Sequence, residues 1–103
     1  MIPDLPPENP GNTPADDVED RYIVSRVVAG EKELFRYLVT RHQKVVYGMG
    51  WSFFRNSEDA SDFVQEVFLK VYRSLSHFEG RSRFSTWLYK IAYNTAINGV
   101  TRR

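Results

Sequence analysis

The stretch Ser57-Glu58-Asp59-Ala60-Ser61-Asp62-Phe63-Val64-Gln65-Glu66-Val67-Phe68-Leu69-Lys70-Val71-Tyr72-Arg73-Ser74-Leu75 decides the fold. It holds neither glycine nor proline, and its apolar side chains return every three or four residues, which predicts a helix. Asn56 and Ser57 offer side-chain oxygens to cap its first turn, where Glu58 and Asp59 stand beside the positive end of the helix dipole. At about 100° per residue, Ala60, Val64, Val67, Val71 and Leu75 converge on one side as a core stripe. The opposite side carries Asp62, Gln65, Glu66, Leu69 and Arg73, with Phe68 and Tyr72 on a shoulder. Leu69 therefore sits in the middle of a polar face. It is either an isolated exposed leucine or the anchor of a docking surface whose carboxylates and amide set register against a basic partner.

Helical signals extend to both sides. A helix from Asp16 or Asp17 to Ala29-Gly30 buries Ile23, Val24, Val27 and Val28. A longer one from about Glu31 to Phe54 repeats Leu34, Phe35, Leu38, Val39, Val45 and Val46, with Gly48 and Gly50 permitting a bend or a close approach. The last runs from near Ser85 to about Gly99, after the loop His77-Phe78-Glu79-Gly80-Arg81-Ser82-Arg83. All five prolines fall within the first fourteen residues, so residues 1–15 read as a flexible proline-rich leader. Residues 16–103 are expected to form an all-α domain, a compact bundle of three to four helices.

Composition agrees with one folded domain: 103 residues, 42% hydrophobic and 26% charged. The net charge of +1 hides an asymmetry, because residues 1–20 hold six acids and no base, while all 14 basic side chains follow. Residues 80–103 contain Arg81, Arg83, Lys90, Arg102 and Arg103 and no acid, which makes this quarter an anion-binding surface or a solvated basic tail. With no cysteine and only His42 and His77 as imidazoles, disulfides, thiolate metal sites and a zinc site are not expected, and no cofactor is assigned. Neither histidine has a neighbour in sequence that implies a catalytic dyad, so no catalytic residue is assigned and the chain is not read as an enzyme. No apolar run reaches membrane-spanning length and no signal-like start is present, so a cytoplasmic protein with no membrane partner is expected.

The last helix carries a second oddity. Trp87, Ile91, Asn94 and Asn98 share one stripe, beside a core stripe of Leu88, Ala92 and Thr95. Asparagine at two turns of one face suits base edges, because one amide donates and accepts together. Lys90 and the run Arg81-Ser82-Arg83 suit phosphates, and Phe78, Phe84, Trp87, Tyr89 and Tyr93 offer rings for unpaired bases. The alternative is that these rings are core and the amides satisfy one another or water.

Together, the runs D-x-x-Q-E-x-F-x-x-x-Y from Asp62 and F-S-T-W-L-Y-K-I-A-x-N from Phe84, with Val27-Val28-Ala29-Gly30-Glu31 and Leu34-Phe35 upstream, resemble region 2 of bacterial sigma factors. The closest likeness is to the small extracytoplasmic-function group, over roughly residues 18–103. The resemblance implies that Asp62, Gln65, Glu66, Phe68, Leu69 and Tyr72 dock on the clamp helices of the beta-prime subunit of core RNA polymerase. It implies that a pocket of Ser74, Phe78, Gly80, Arg81, Ser82 and Tyr89 captures a base flipped from the non-template strand of the promoter minus-ten element. Lys70, Asn94 and Asn98 match positions for base or backbone contacts, and Lys90 for phosphate. It further implies single-stranded promoter DNA and an anti-sigma factor as partners; a complete member of the family carries a second helix-turn-helix domain, region 4, and the expectation here is a monomeric region 2 domain without it. Two other readings stay open: a helical module that binds only an anti-sigma regulator, and a regulator that reads duplex DNA.

Overall fold

The computed structural model describes residues 12–102. Of the leader expected over residues 1–15, residues 1–11 lie outside that range, but Asn12 is buried and Pro14 and Ala15 are already helical. Four α-helices account for most of the rest: α1 (Pro14–Val28), α2 (Phe35–Phe54), α3 (Ser57–Ser74) and α4 (Phe84–Arg102), with short 3-10 turns at Lys32–Leu34 and Leu75–His77. No strand occurs among the described residues.

α1 starts earlier than the aspartates predict. Thr13 is its N-cap and Pro14 stands in the first turn, where its missing N–H costs nothing. Thr13 Oγ1 accepts the Asp16 amide at 3.2 Å while Asp16 Oδ2 accepts the Thr13 amide at 2.9 Å, a reciprocal capping box. Of the two aspartates expected to cap, Asp16 serves as the N3 partner of that box and Asp17 is buried. Val28 is exposed rather than core, because the chain turns away at Gly30; Val24 and Val27 are buried and Ile23 is half-buried against the core.

α2 ends at Arg55, a non-glycine residue in left-handed conformation (φ 55°) whose amide bonds the Trp51 carbonyl. Asn56 then caps α3 by accepting the Asp59 amide at 3.0 Å. The two helices pack closely at Gly50, where a Cβ would stand 2.7 Å from the Phe63 ring and 3.3 Å from Ala60 Cα. That approach brings Phe63 into the core and leaves Val64, expected there, only half-buried.

The core lies where α2, α3 and α4 meet, around Leu38, Val46, Val67, Val71, Phe84 and Leu88, all fully buried. Each such side chain contributes about 1.5–3 kcal/mol relative to exposure. On α4 the inward set is Phe84, Ser85, Leu88, Tyr89, Ala92, Thr95 and Ala96. Trp87, Ile91, Asn94 and Asn98 are left on the flank and outer side.

Candidate functional site

Two surfaces hold the residues singled out in the sequence. The first is a groove of about 780 Å³ between α2 and α3. Its α3 wall carries Val64, Gln65, Phe68, Leu69 and Tyr72. Leu69 remains 49% exposed and Tyr72 37%, so both are open to a partner. Asp62, Gln65 and Glu66 are exposed beside them. Phe68 differs from the expectation of an outward shoulder: it is buried, its ring edge-on to Phe35 at 6.4 Å, and forms the floor. Phe35 also meets Tyr72 edge-on at 5.0 Å.

The other wall was not anticipated. Phe35, Val39, Gln43 and Tyr47 of α2 repeat at four-residue spacing and line the groove with Lys44. The spacing was visible in the sequence, but only the packing of α2 on α3 turns it toward the same opening. Lys44 places a positive charge on the groove, whose other polar lining includes Gln43, Ser61 and Gln65.

The second surface is the loop before α4 and that helix's outer face. Phe78 is half-buried, with its ring 5.6 Å from Phe84 and 5.4 Å from Trp87. Ser74 and Ser82 are half-buried and Arg81 is exposed. Arg81 Nη2 lies 3.6 Å from Glu79 Oε2, so the loop's acid is paired with its own neighbour. Lys90, Asn94 and Asn98 are exposed along α4, whereas Trp87 and Ile91, placed on the asparagines' stripe, are half-buried.

Tyr89 requires a correction. It is 3% exposed and meets the buried His42 ring edge-on at 6.3 Å. Its place next to Leu88 on the inward face of α4 turns the ring into the core against His42, so it offers no open stacking surface. Phe84, fully buried, leaves the set of stacking rings for the same reason. Lys70 occupies a middle position: its Nζ lies 3.3 Å from Glu66 Oε2 and 3.4 Å from Thr95 Oγ1, joining the α3 acid face to α4.

Sequence reasoning missed how the loop is held. Arg21 of α1 donates to the carbonyls of Gly80 (3.2 Å) and Ser82 (2.7 Å). Arg83 donates to the Asn12 carbonyl at 2.7 Å, and Ser85 Oγ bonds Asn12 Oδ1 at 3.1 Å. These partners are roughly 60 to 70 residues apart in the chain, and no local pattern announces them.

The same is true of His42. It is 1% exposed, and its Nε2 lies 2.9 Å from Oδ2 of the fully buried Asp20, whose Oδ1 accepts Arg41 Nε at 2.7 Å. Burial opposes the Arg41 charge, but the hydrogen bonds and charges of Asp20 and Glu19 together outweigh it and hold the guanidinium above its ordinary pKa. This histidine–carboxylate pair is sealed in the core, where it ties α1 to α2. Among the described residues no group of three His, Asp or Glu side chains is placed to hold a metal. None of the helices there is long and apolar enough to cross a membrane.

Comparison with known proteins adds sequence and structural relatives. The family model described as Sigma-70 region 2 matches residues 38–103. The RNA polymerase sigma-H factor of Pseudomonas aeruginosa is 42% identical over 85 residues, which is 82% of this chain and 44% of that protein. The ECF RNA polymerase sigma-E factor of Haemophilus influenzae is 45% identical over 87 residues, 84% of this chain and 46% of its own length. The chain thus spans less than half the length of these relatives. A solved structure, the NMR structure of an engineered region 2 of sigmaE in complex with GTAAAA, superposes with a TM-score of 0.74 at 42% identity, covering 81% of this chain and 86% of that one.

Proposed function

The chain belongs to the sigma-70 region 2 family, and from that premise we propose that it acts in transcription initiation, docking on core RNA polymerase and capturing an unpaired base of the promoter minus-ten element. The observation that carries this reading is the separation of two chemically different surfaces on one small bundle. One is an apolar groove whose polar lining includes Gln65 and Lys44, with Asp62 and Glu66 exposed on the same helix as Gln65. The other is a basic, amide-bearing face with Arg81, Lys90, Asn94 and Asn98 exposed.

On this reading Gln65, Leu69 and Tyr72 seat the clamp helices of the beta-prime subunit against the groove, with Phe68 beneath them and Asp62 and Glu66 facing basic side chains of the partner. The loop of Ser74, Phe78, Gly80, Arg81 and Ser82 takes the flipped base, while Asn94, Asn98 and Lys70 contact the strand and Lys90 a phosphate. Extruding a base costs a few kcal/mol of stacking, which enclosure by the loop recovers. Melting then follows from preferential binding of the single strand and needs no nucleotide hydrolysis, a non-catalytic role. The GTAAAA strand in the sigmaE region 2 complex supports this assignment by analogy. An anti-sigma factor is a further expected partner, competing for the polymerase-facing groove.

Binding of fluorescent single-stranded GTAAAA to the chain tests the proposal. Asn94→Ala is expected to weaken it about tenfold, and Lys90→Ala to reduce the slope of affinity against salt concentration by roughly one phosphate contact. Equal affinity for a scrambled strand, or tighter binding of the duplex, would overturn the reading.

A further inference from the structure

Arg21 lies on α1, outside both surfaces assigned to partners, yet its guanidinium engages the loop at three points. Nη1 donates to the Gly80 carbonyl at 3.2 Å, Nη2 donates to the Ser82 carbonyl at 2.7 Å, and the group stands over the Phe78 ring at 5.6 Å. Its third nitrogen, Nε, donates to Asp17 Oδ2 at 2.6 Å. The other oxygen of Asp17 accepts the Phe84 amide at 2.8 Å. One carboxylate and one guanidinium therefore brace the segment from Phe78 to the first residue of α4.

Gly80 fits this arrangement in two ways. Its φ of +76° is one that side-chain-bearing residues rarely adopt, and a Cβ there would stand 2.8 Å from Arg21 Nη1. The left-handed turn and the close approach of the guanidinium are thus one feature. The planar fork of arginine suits two carbonyls on one short loop, whereas a lysine ammonium acts as a single point.

We infer that Arg21, oriented by Asp17, is a positioning residue that holds the loop Phe78–Arg83 in its base-accepting shape before DNA arrives. The inference rests on the assignment of that loop to base capture. A loop ordered in advance loses less conformational freedom on binding, so the effect belongs to the captured base and not to the strand as a whole.

The test uses the full chain, the strand GTAAAA and six versions of it, each lacking one base. The wild type is expected to lose about tenfold in affinity when the captured base is removed. Arg21→Gln is expected to bind the intact strand about tenfold more weakly, at the level of that abasic strand, while its affinity for the abasic strand itself stays unchanged. Arg21→Lys keeps the charge without the fork and should fall between the two. Thermal melting followed by circular dichroism identifies which variants are folded. A folded Arg21→Gln that still discriminates fully, or that loses affinity equally for every strand, overturns the inference. Should Arg21→Gln fail to fold, Arg21→Lys decides, and wild-type discrimination by it is the overturning result. A wild type that binds GTAAAA but treats all six abasic strands alike removes base capture itself, and this inference with it, without reference to any variant.

Discussion

The carboxylate of Asp17 on α1 accepts the backbone amide of Phe84, the first residue of α4, at 2.8 Å across 67 residues of sequence. The amides of a helix's first turn have no partner within the helix. Here one of them is satisfied by a side chain from another helix, so the start of α4 and the loop before it are fixed by tertiary contact. Asp17→Ala removes that acceptor and the partner of Arg21 together, and is expected to cost about 2–3 kcal/mol. Urea denaturation monitored by circular dichroism measures this. A loss well below 1 kcal/mol would mean that water replaces the carboxylate at no cost.

Two glycines on α2 are expected to respond in opposite senses. A Cβ at Gly48 meets nothing within 4 Å, so Gly48→Ala should stabilise the protein by up to about 1 kcal/mol through helix propensity. At Gly50 the Cβ would press into the Phe63 ring at 2.7 Å, and overpacking costs of about 1–3 kcal/mol outweigh the same propensity gain. Comparing the two melting temperatures checks the sign of each; a rise for both would show that Phe63 yields freely.

Leu69 is half exposed on the groove wall, so Leu69→Asp should leave the melting temperature nearly unchanged. Capture of the isolated clamp helices is expected to fall at least tenfold, with GTAAAA binding retained. Undiminished capture would remove Leu69 from the docking face.

The Asp16 carboxyl is held below its ordinary pKa, first by the hydrogen bond from the Thr13 amide and then by the Thr13 hydroxyl. A depressed folded-state pKa contributes stability that is complete above the unfolded value, about 4, and is lost as pH falls through the lower folded value. Acidification below about pH 4 should therefore loosen the first turn of α1, read as faster exchange of the Asp16 amide, and Asp16→Asn should flatten that dependence. Faster exchange on raising the pH from 4 to 6, after correction for intrinsic rates, would contradict the assignment.

Helices α2, α3 and α4 were legible in the sequence because helix formation is governed by neighbours three and four residues apart. The Asn56 cap, the glycine-marked end of α1 and the exposed stripe of Asn94 and Asn98 all follow from such local rules. The same rules misplaced Val28, Val64, Phe68 and Tyr89, whose burial depends on which neighbouring helix covers a given angle of the wheel.

What the chain determined by itself was its helical periodicity, its charge asymmetry and the residue types on each helix face. Tertiary packing alone decided that α2 supplies half the groove, that Asp20 seals His42 into the core, and that Asp17 and Arg21 brace the loop before α4. The physical reason is one of range. A helix reports its own period within a few residues, whereas a buried carboxylate can be matched to its partner only once the fold has excluded water and brought distant segments within hydrogen-bond reach.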